Sequence, residues 1–535
     1  MGQLSGLRAG CSVAALSLVI WGGAAAVAQA ETLADAIAMA YQSNPALLGQ
    51  RAQQRALDET YVVARTGFRP TASVTGTAEY EREDFGRLGG YATTASGGAV
   101  TSGGGGHADS NGGGAQLTVS QPLFTGGRTE SAVRAAEATV LAGREGLRAT
   151  EAGVLQNVIL AYEDVRRDQA IVGIRRNNVE VLASQLDETQ TKFQVGQVTR
   201  TDTAQAAAQL AAARALLTSS QAQLQISRAN YTAVVGQNPG DLAVEPPLPG
   251  LPSTVDQAFD AAEAANPTLQ QAMNTERSSR AKVAEARAAN RPTVALQGTL
   301  GYSGPLSPLE TRDYDQSVTA MATVTQPIFT GGLNSSNIRA ALEQNNADRI
   351  AIEGARRQVV QGVSQAWNTM AAAHANTGSD EEQVRSASVA FEGVQAEYRA
   401  GLRTTLDVLI AQESLRDAEL ALVQARHDEY VAEASLLNAM GRLEARTLLR
   451  GVALYDPAVS FDRVKRIGGV PWEGLVEGLD SLGGPRDRPA ASPASVPAAS
   501  SVQSSGVSMA PADHPLPAHQ PLSTEQPTAA SPPAE

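Results

Sequence analysis

The chain has 535 residues, 42% apolar but only 4% aromatic, with a formal charge of −13. An acidic balance gives no footing for a nucleic-acid partner, and an alanine-filled core poor in Phe and Trp favours closely packed helices over a sandwich. The five histidines (His107, His374, His427, His514 and His519) are scattered. They come with no nucleophile motif, phosphate loop or metal-ligand spacing, so neither catalysis nor a cofactor is implied; His374 and His427 read as exposed helix residues.

Residues 1–30 read as a secretory signal: Arg8 supplies the charge, 13–27 the apolar stretch, and Ala28-Gln29-Ala30 a small-x-small cleavage site. Cys11, the chain's one cysteine, lies inside it. Arg8 stands three positions before it, where a lipoprotein needs an apolar residue, so the mature chain is expected to carry neither lipid nor disulfide. No later run of about 18 apolar residues offers a membrane helix.

From Asn44 onward the sequence is duplicated. Asn44-Pro45, Arg69-Pro70 and Tyr80 recur as Asn266-Pro267, Arg291-Pro292 and Tyr302, at an offset of 222. Gln121-Pro122-Leu123-Phe124-Thr125-Gly126-Gly127 recurs as Gln326-Pro327-Ile328-Phe329-Thr330-Gly331-Gly332, at an offset of 205 that then holds through Phe193/Tyr398, Gly196/Gly401, Thr199/Thr404, Asp202/Asp407 and Gly236/Gly441. The first copy therefore has 17 extra residues between Tyr80 and Gln121, where glycines cluster at 97–98, 103–106 and 112–114. Residues 86–114 are expected to form a loop tip, where added length costs little.

Each copy has one element order. An Asn N-cap with proline at the first helical position opens a helix, and the Arg-Pro pair stops it. A strand, a loop and a second strand follow. Ala72, Val74, Ala78 and Tyr80 alternate with Thr71, Ser73, Thr75, Thr77 and Glu79; Leu117 and Val119 with Gln116, Thr118 and Ser120. In the second copy Val294, Leu296, Leu300 and Tyr302 alternate with Gln297 and Thr299, and Ala322 and Val324 with Thr323 and Thr325. Such alternation suits a membrane barrel and equally a half-buried soluble sheet.

Thr-Gly-Gly then breaks the second strand, and a proline-free stretch begins at Arg128 (to Gln194) and at Leu333 (333–398). Val179, Leu182, Leu186, Thr189 and Phe193 form a heptad seam, repeated by Val384, Ala387, Phe391, Val394 and Tyr398. The returning helix carries Leu210, Leu217, Leu224 and Tyr231, and its copy Leu415, Leu422 and Leu436, with Glu429 breaking the run. Each copy thus ends in an antiparallel hairpin with its tip near Gly196 or Gly401. The divisions are 31–238 and 254–441 for the repeats, 239–253 for a proline-rich linker, 442–482 for an equatorial C-terminal segment and 483–535 for a Pro/Ala/Ser-rich tail read as disordered.

Four strands cannot close a barrel, since membrane barrels need about eight and open edges cannot face lipid. Two chains would supply enough strands, and so would three. The duplicated helix, strand pair, Thr-Gly-Gly break and long hairpin, with Gly196 and Asp202 at one tip and Gly401, Arg403, Thr404 and Asp407 at the other, resemble the TolC outer-membrane efflux family over residues 33–449. The resemblance implies a mainly α fold with β: a homotrimer whose strands share one twelve-stranded barrel in outer-membrane lipid and whose helices form a periplasmic tunnel. It implies docking to a periplasmic adaptor (membrane fusion) protein and an inner-membrane ABC or RND-type transporter. It implies passage of drugs, metals or polypeptides, with the lipid-free N-terminus leaning to type I secretion. Carried over residue by residue, it pairs Asp202 with Tyr398 and Thr201 with Arg403 in a gate, and puts Asp407 in an acidic ring. Gly196, Thr199, Gly401 and Thr404 then mark the tips where an adaptor docks. Ile410 stands where the family has a second aspartate. Asp202 and Asp407 read equally as helix caps. A soluble periplasmic coiled-coil adaptor is the alternative; it leaves two matched strand pairs unexplained.

Overall fold

A computed structural model describes residues 30–84, 92–93, 99–100, 107–305, 314–449, 451 and 453–482. The signal segment up to residue 29 and the tail from 483 lie outside the described residues. So does most of the first strand pair's loop.

In the first repeat, α1 (Leu33–Ser43) and α2 (Pro45–Arg65) lead through a short 3-10 turn (Thr66–Phe68) into β1 (Thr71–Asp84). The two-residue strands β2 (Ala92–Thr93) and β3 (Ala99–Val100) pair with each other, and β4 (His107–Phe124) returns. Then come α3 (Arg128–Gln194) and α4 (Arg200–Val235). The second repeat runs α5 (Val255–Ala265), α6 (Pro267–Ala288), β5 (Thr293–Gly304), β6 (Asp315–Thr325), α7 (Leu333–Arg399) and α8 (Thr405–Ala439). Short helices α9 (Ala445–Leu448), α10 (Pro457–Val464) and α11 (Glu473–Ser481) follow.

The two asparagines do more than start helices. Asn44 Oδ1 accepts from the backbone N–H of Ala46 and Leu47, while its amide donates to the Val234 carbonyl at 3.0 Å. Asn266 repeats this with Thr268, Leu269 and the Ala439 carbonyl at 2.8 Å. One side chain thus caps an outgoing helix and ties down the end of the returning hairpin.

The strands form one antiparallel sheet ordered β1-β4-β5-β6, so β1 and β6 are its edges. The register aligns the alternation across all four. Val74, Leu117, Leu300 and Val318 form one row, and Ser73, Thr118, Thr299 and Thr319 an adjacent row on the other face. A one-residue slip in any strand would mix the rows.

The glycine-rich segment corrects one expectation. Gly112–Gly114 are not loop but strand, paired with Glu79, Ala78 and Thr77. A Cβ on Gly114 would lie 2.7 Å from the Tyr302 carbonyl oxygen, so a close backbone approach explains a glycine there. Part of the extra length lengthens the ribbon: β1–β4 pairing continues to Asp84↔His107, whereas β4–β5 pairing stops at Gly113↔Gly304.

Both long helices have 67 residues, roughly 100 Å at about 1.5 Å per residue. α3 is central, flanked by α2 and α6 over its first half and by α4 and α8 over its second. α7 packs mainly against α5, α6 and α8, and just Val359, Val363 and Ala373 are buried on it. The main core lies at mid-height, where α1 contributes Ile37 and Tyr41, α3 contributes Leu155, Val158, Ile159 and Tyr162, and the returning helices add Tyr231 and Leu437.

The C-terminal segment runs from the main core to the strand–helix junction. The backbone N–H of Tyr455 donates to Tyr41 Oη at 3.0 Å, and Phe461 packs edge-on to Tyr61 of α2. α11 then reaches the strand–helix junction. Glu473 pairs with Arg65 and Arg69, and the fully buried Asp480 accepts from Thr125 N and Gly127 N at 2.6 and 3.1 Å. Gly127 has no side chain to cap α3, and Thr125 supplies the acceptor instead: its Oγ1 accepts from the Thr129 N–H at 3.1 Å while donating to Asp480, which holds the turn in place.

Candidate functional site

The two hairpin tips are built alike. α3 ends through Gly196 and α7 through Gly401, each at φ +76°. Their N–H groups donate to Phe193 and Tyr398 carbonyls, and those of Gln197 and Leu402 to Lys192 and Glu397 carbonyls. A left-handed glycine closing a helix in this way lets a short link reverse the chain into the returning helix. Thr199 and Thr404 then open α4 and α8 with full capping boxes: Asp202 and Asp407 each donate N–H to the threonine Oγ1 and accept from its N–H and hydroxyl. Hydrogen bonds from the threonine backbone N–H and then its hydroxyl hold both carboxyls below the usual aspartate range. The capping reading of both aspartates is therefore realised, and both stay ionised.

Tyr398 is the point where the hairpins meet at the tip. Its Oη accepts from Lys192 Nζ of α3 at 2.9 Å, and the ammonium sits 4.2 Å from the ring centroid. Glu188, one turn back, pairs with Lys192 at 2.7 Å. Arg403 bonds Glu397 of its own hairpin at 2.7 Å, and Thr201 is exposed. Within the protomer Tyr398 thus faces Lys192 rather than Asp202, and Arg403 faces Glu397 rather than Thr201. Sequence reasoning missed Lys192 because its partner lies in the other repeat; its one local signal was Glu188 four residues earlier.

Behind the tip, α8 meets α3 along a largely polar seam. Leu409 packs against Leu182, Leu210 and Ala213. Next come Gln412 to Asn178 at 3.1 Å, His427 to Asp164 at 3.0 Å, and Gln156 to Ser435 at 3.0 Å. Each such bond contributes about 1 kcal/mol, and its direction restricts how the hairpins can slide. Glu429, which breaks the heptad run, is bonded to His374 at 2.6 Å.

His427 is the second correction: it is buried, whereas His374 is exposed. Burial pushes the His427 pKa down, but hydrogen bonds to Asp164 and Asp428 outweigh it, and Arg167 opposes them; the net shift is upward. A raised histidine pKa contributes stability that is full below its unfolded value of about 6.5 and fades as pH rises through the folded one. His427→Gln is therefore expected to lower the heat-dissociation temperature of the assembly in acid buffer, with the difference from wild type closing in alkali. A gap that is constant across pH would show that the residue only packs.

The family model described as outer membrane efflux protein matches residues 36–237 and 258–442. The outer membrane efflux protein BepC of Brucella suis is 32% identical over 458 residues, 85% of this chain and 96% of that one. The outer membrane protein TolC of Escherichia coli is 28% identical, over 55% of this chain and 63% of its own. In fold, a membrane protein from Pseudomonas aeruginosa superposes with a TM-score of 0.66 at 21% identity, covering 79% of this chain and 92% of that one.

Proposed function

The chain belongs to the outer membrane efflux protein family, and from that premise we propose that three copies form an exit duct, closed at its periplasmic end by the hairpin tips. The family is one of transport channels of the outer membrane, and the soluble-adaptor alternative is not favoured. The observation that carries the reading is the four-stranded sheet with apolar rows in register on one face and both edge strands exposed along their whole length. Strands β5 and β6, of 12 and 11 residues, are long enough to cross a bilayer when tilted, which takes about 9–11. Pairing β6 of one copy with β1 of the next closes the edges, and three copies of four strands make twelve. The bare flank of α7 and the exposed Ile328, Phe329 and Leu333 are then covered by a second copy. No helix of the described residues is long and apolar enough to cross a membrane, and the barrel needs none.

Cell fractionation tests this directly. A heat-resistant trimer in the outer-membrane fraction is expected; a free periplasmic monomer would overturn the duct. The partners of such a duct are a periplasmic adaptor meeting the tips at Gly196, Thr199, Gly401 and Thr404, and an inner-membrane transporter of ABC or RND type that supplies the energy. Cross-linking from these tips identifies them.

At the gate, Asp202 and Thr201 of one hairpin reach Tyr398 and Arg403 of another across protomers, and Asp407 rings the constriction in a single tier, since Ile410 replaces any acidic group one turn on. Divalent cations are expected to block current through the reconstituted channel. Asp407→Asn keeps a cap acceptor for Thr404 but removes the charge, so it should relieve the block while trimers form normally. Persistent block in that variant would move the ring elsewhere.

A further inference from the structure

α11 keeps its charges on one side. Glu473 is buried against Arg65 and Arg69, Glu477 pairs with Arg65, and Asp480 is buried on the Thr125-Gly126-Gly127 turn. Val476 is buried between them. The opposite side presents Trp472, Leu475, Leu479 and Leu482, spaced 3, 4 and 3, with exposures of 49, 66, 41 and 82%. No charged side chain interrupts that stripe, although the ion pairs and buried carboxylates of the other side fix the helix so that it points outward.

Its height and direction follow from one bond. Trp472 Nε1 donates to Gln121 Oε1 at 3.1 Å. Gln121 continues the alternation of Leu117 and Val119 on β4 and is in register with the exposed Leu296 of β5. α11 therefore lies on the outer side of the barrel's lower rim, directly continuing the apolar rows that face lipid. A tryptophan and three leucines at that level, with the polar side turned to protein, match a helix lying at a membrane–water interface.

We propose that α11 is an interfacial anchor, its Trp472–Leu475–Leu479–Leu482 face seated in the headgroup–acyl boundary of phospholipid in the periplasmic leaflet. This rests on the reading of the sheet as an outer-membrane barrel. Three such helices would ring the barrel base, fix its depth in the membrane and couple that depth to the start of α3 through Asp480.

The test is fluorescence quenching in proteoliposomes of the assembled full chain. With Trp21→Phe and Trp367→Phe, Trp472 is the remaining tryptophan. Brominated phospholipid should cut its emission by roughly half, as for an interfacial indole, while aqueous acrylamide has little effect. Adding Leu475→Glu and Leu479→Glu should abolish the bromolipid quenching. Quenching by acrylamide alone would place the face in water. Quenching by neither would mean that a second copy covers it, Ile328 and Phe329 being exposed at the matching end of β6. Either result overturns the anchor. A parallel tryptophan-free background carrying Leu117→Trp reports the barrel itself: quenching there without quenching at Trp472 sinks the anchor alone, and no quenching at either sinks the barrel reading.

Discussion

Gly441→Ala is expected to abolish assembly, while the same change at its repeat partner Gly236 leaves most of it intact. Both glycines end a returning helix in the left-handed region, at φ +71° and +96°. That conformation alone costs an L-residue about 1–2 kcal/mol. The surroundings separate them. A Cβ at Gly441 would lie 2.6 Å from the Ala265 carbonyl oxygen and 2.7 Å from Asn266 Cα, both backbone atoms of the turn that starts α6. They cannot move without breaking the Asn266 amide bond to Ala439. At Gly236 the nearest atom is the Ser43 hydroxyl at 3.2 Å, the mobile end of a side chain. The first cost adds backbone overlap to strain and should exceed about 4 kcal/mol, enough to unfold a marginal assembly; the second should stay near the strain value. Outer-membrane levels and heat-dissociation temperatures of the two variants measure the difference. Equal behaviour would mean that the repeat junctions are softer than their geometry.

Tyr398→Phe combined with Arg403→Ser should raise single-channel conductance several-fold in a planar bilayer and make cells leaky to large hydrophilic antibiotics. Tyr398→Phe removes the acceptor of the Lys192 bond but keeps the ring on which the ammonium rests, so the tip loses a directional bond without losing its packing. Arg403→Ser frees Glu397 and removes a cation that also attracts Asp407. Such solvent-exposed contacts are individually weak, which suits a gate that a docked partner must override, and threefold repetition makes their joint loss large. Normal trimers with unchanged conductance would sink the gate and leave these residues as turn formers. Lys192→Gln is the informative companion: it should open the channel in part if the protomer's own Lys192–Tyr398 contact helps hold the tip shut.

The architecture was legible because the chain states it twice. A constant offset of 205 from Gln121 to Gly441 requires two hairpins of equal length, and the Asn-Pro and Thr-Gly-Gly pairs mark where helices start. Caps, turns and heptad seams are local: a threonine three residues before an aspartate, or a glycine after a helix, carries its hydrogen-bond pattern with it wherever the fold puts it. The sequence by itself therefore determined the repeated helices and strands from Asn44 and Asn266 onward, their order, both tips and the alternation of the strands, but not α1, α5 or the helices after Gly441. The tertiary structure decided which copies of these matching elements become buried and which become partners. α3 lies between four helices and α7 at an edge, so equivalent residues have unequal burial. His427 is buried because α8 lies on α3, and Lys192 finds Tyr398 across 206 residues. α11 has no counterpart in either repeat; its place at the strand–helix junction depends on Arg65, Arg69, Thr125 and Gly127 being brought together. Local hydrogen bonding is written in neighbouring residues, whereas burial and long-range pairing depend on which surfaces meet, and a duplicated chain offers two sets of nearly identical surfaces to choose from.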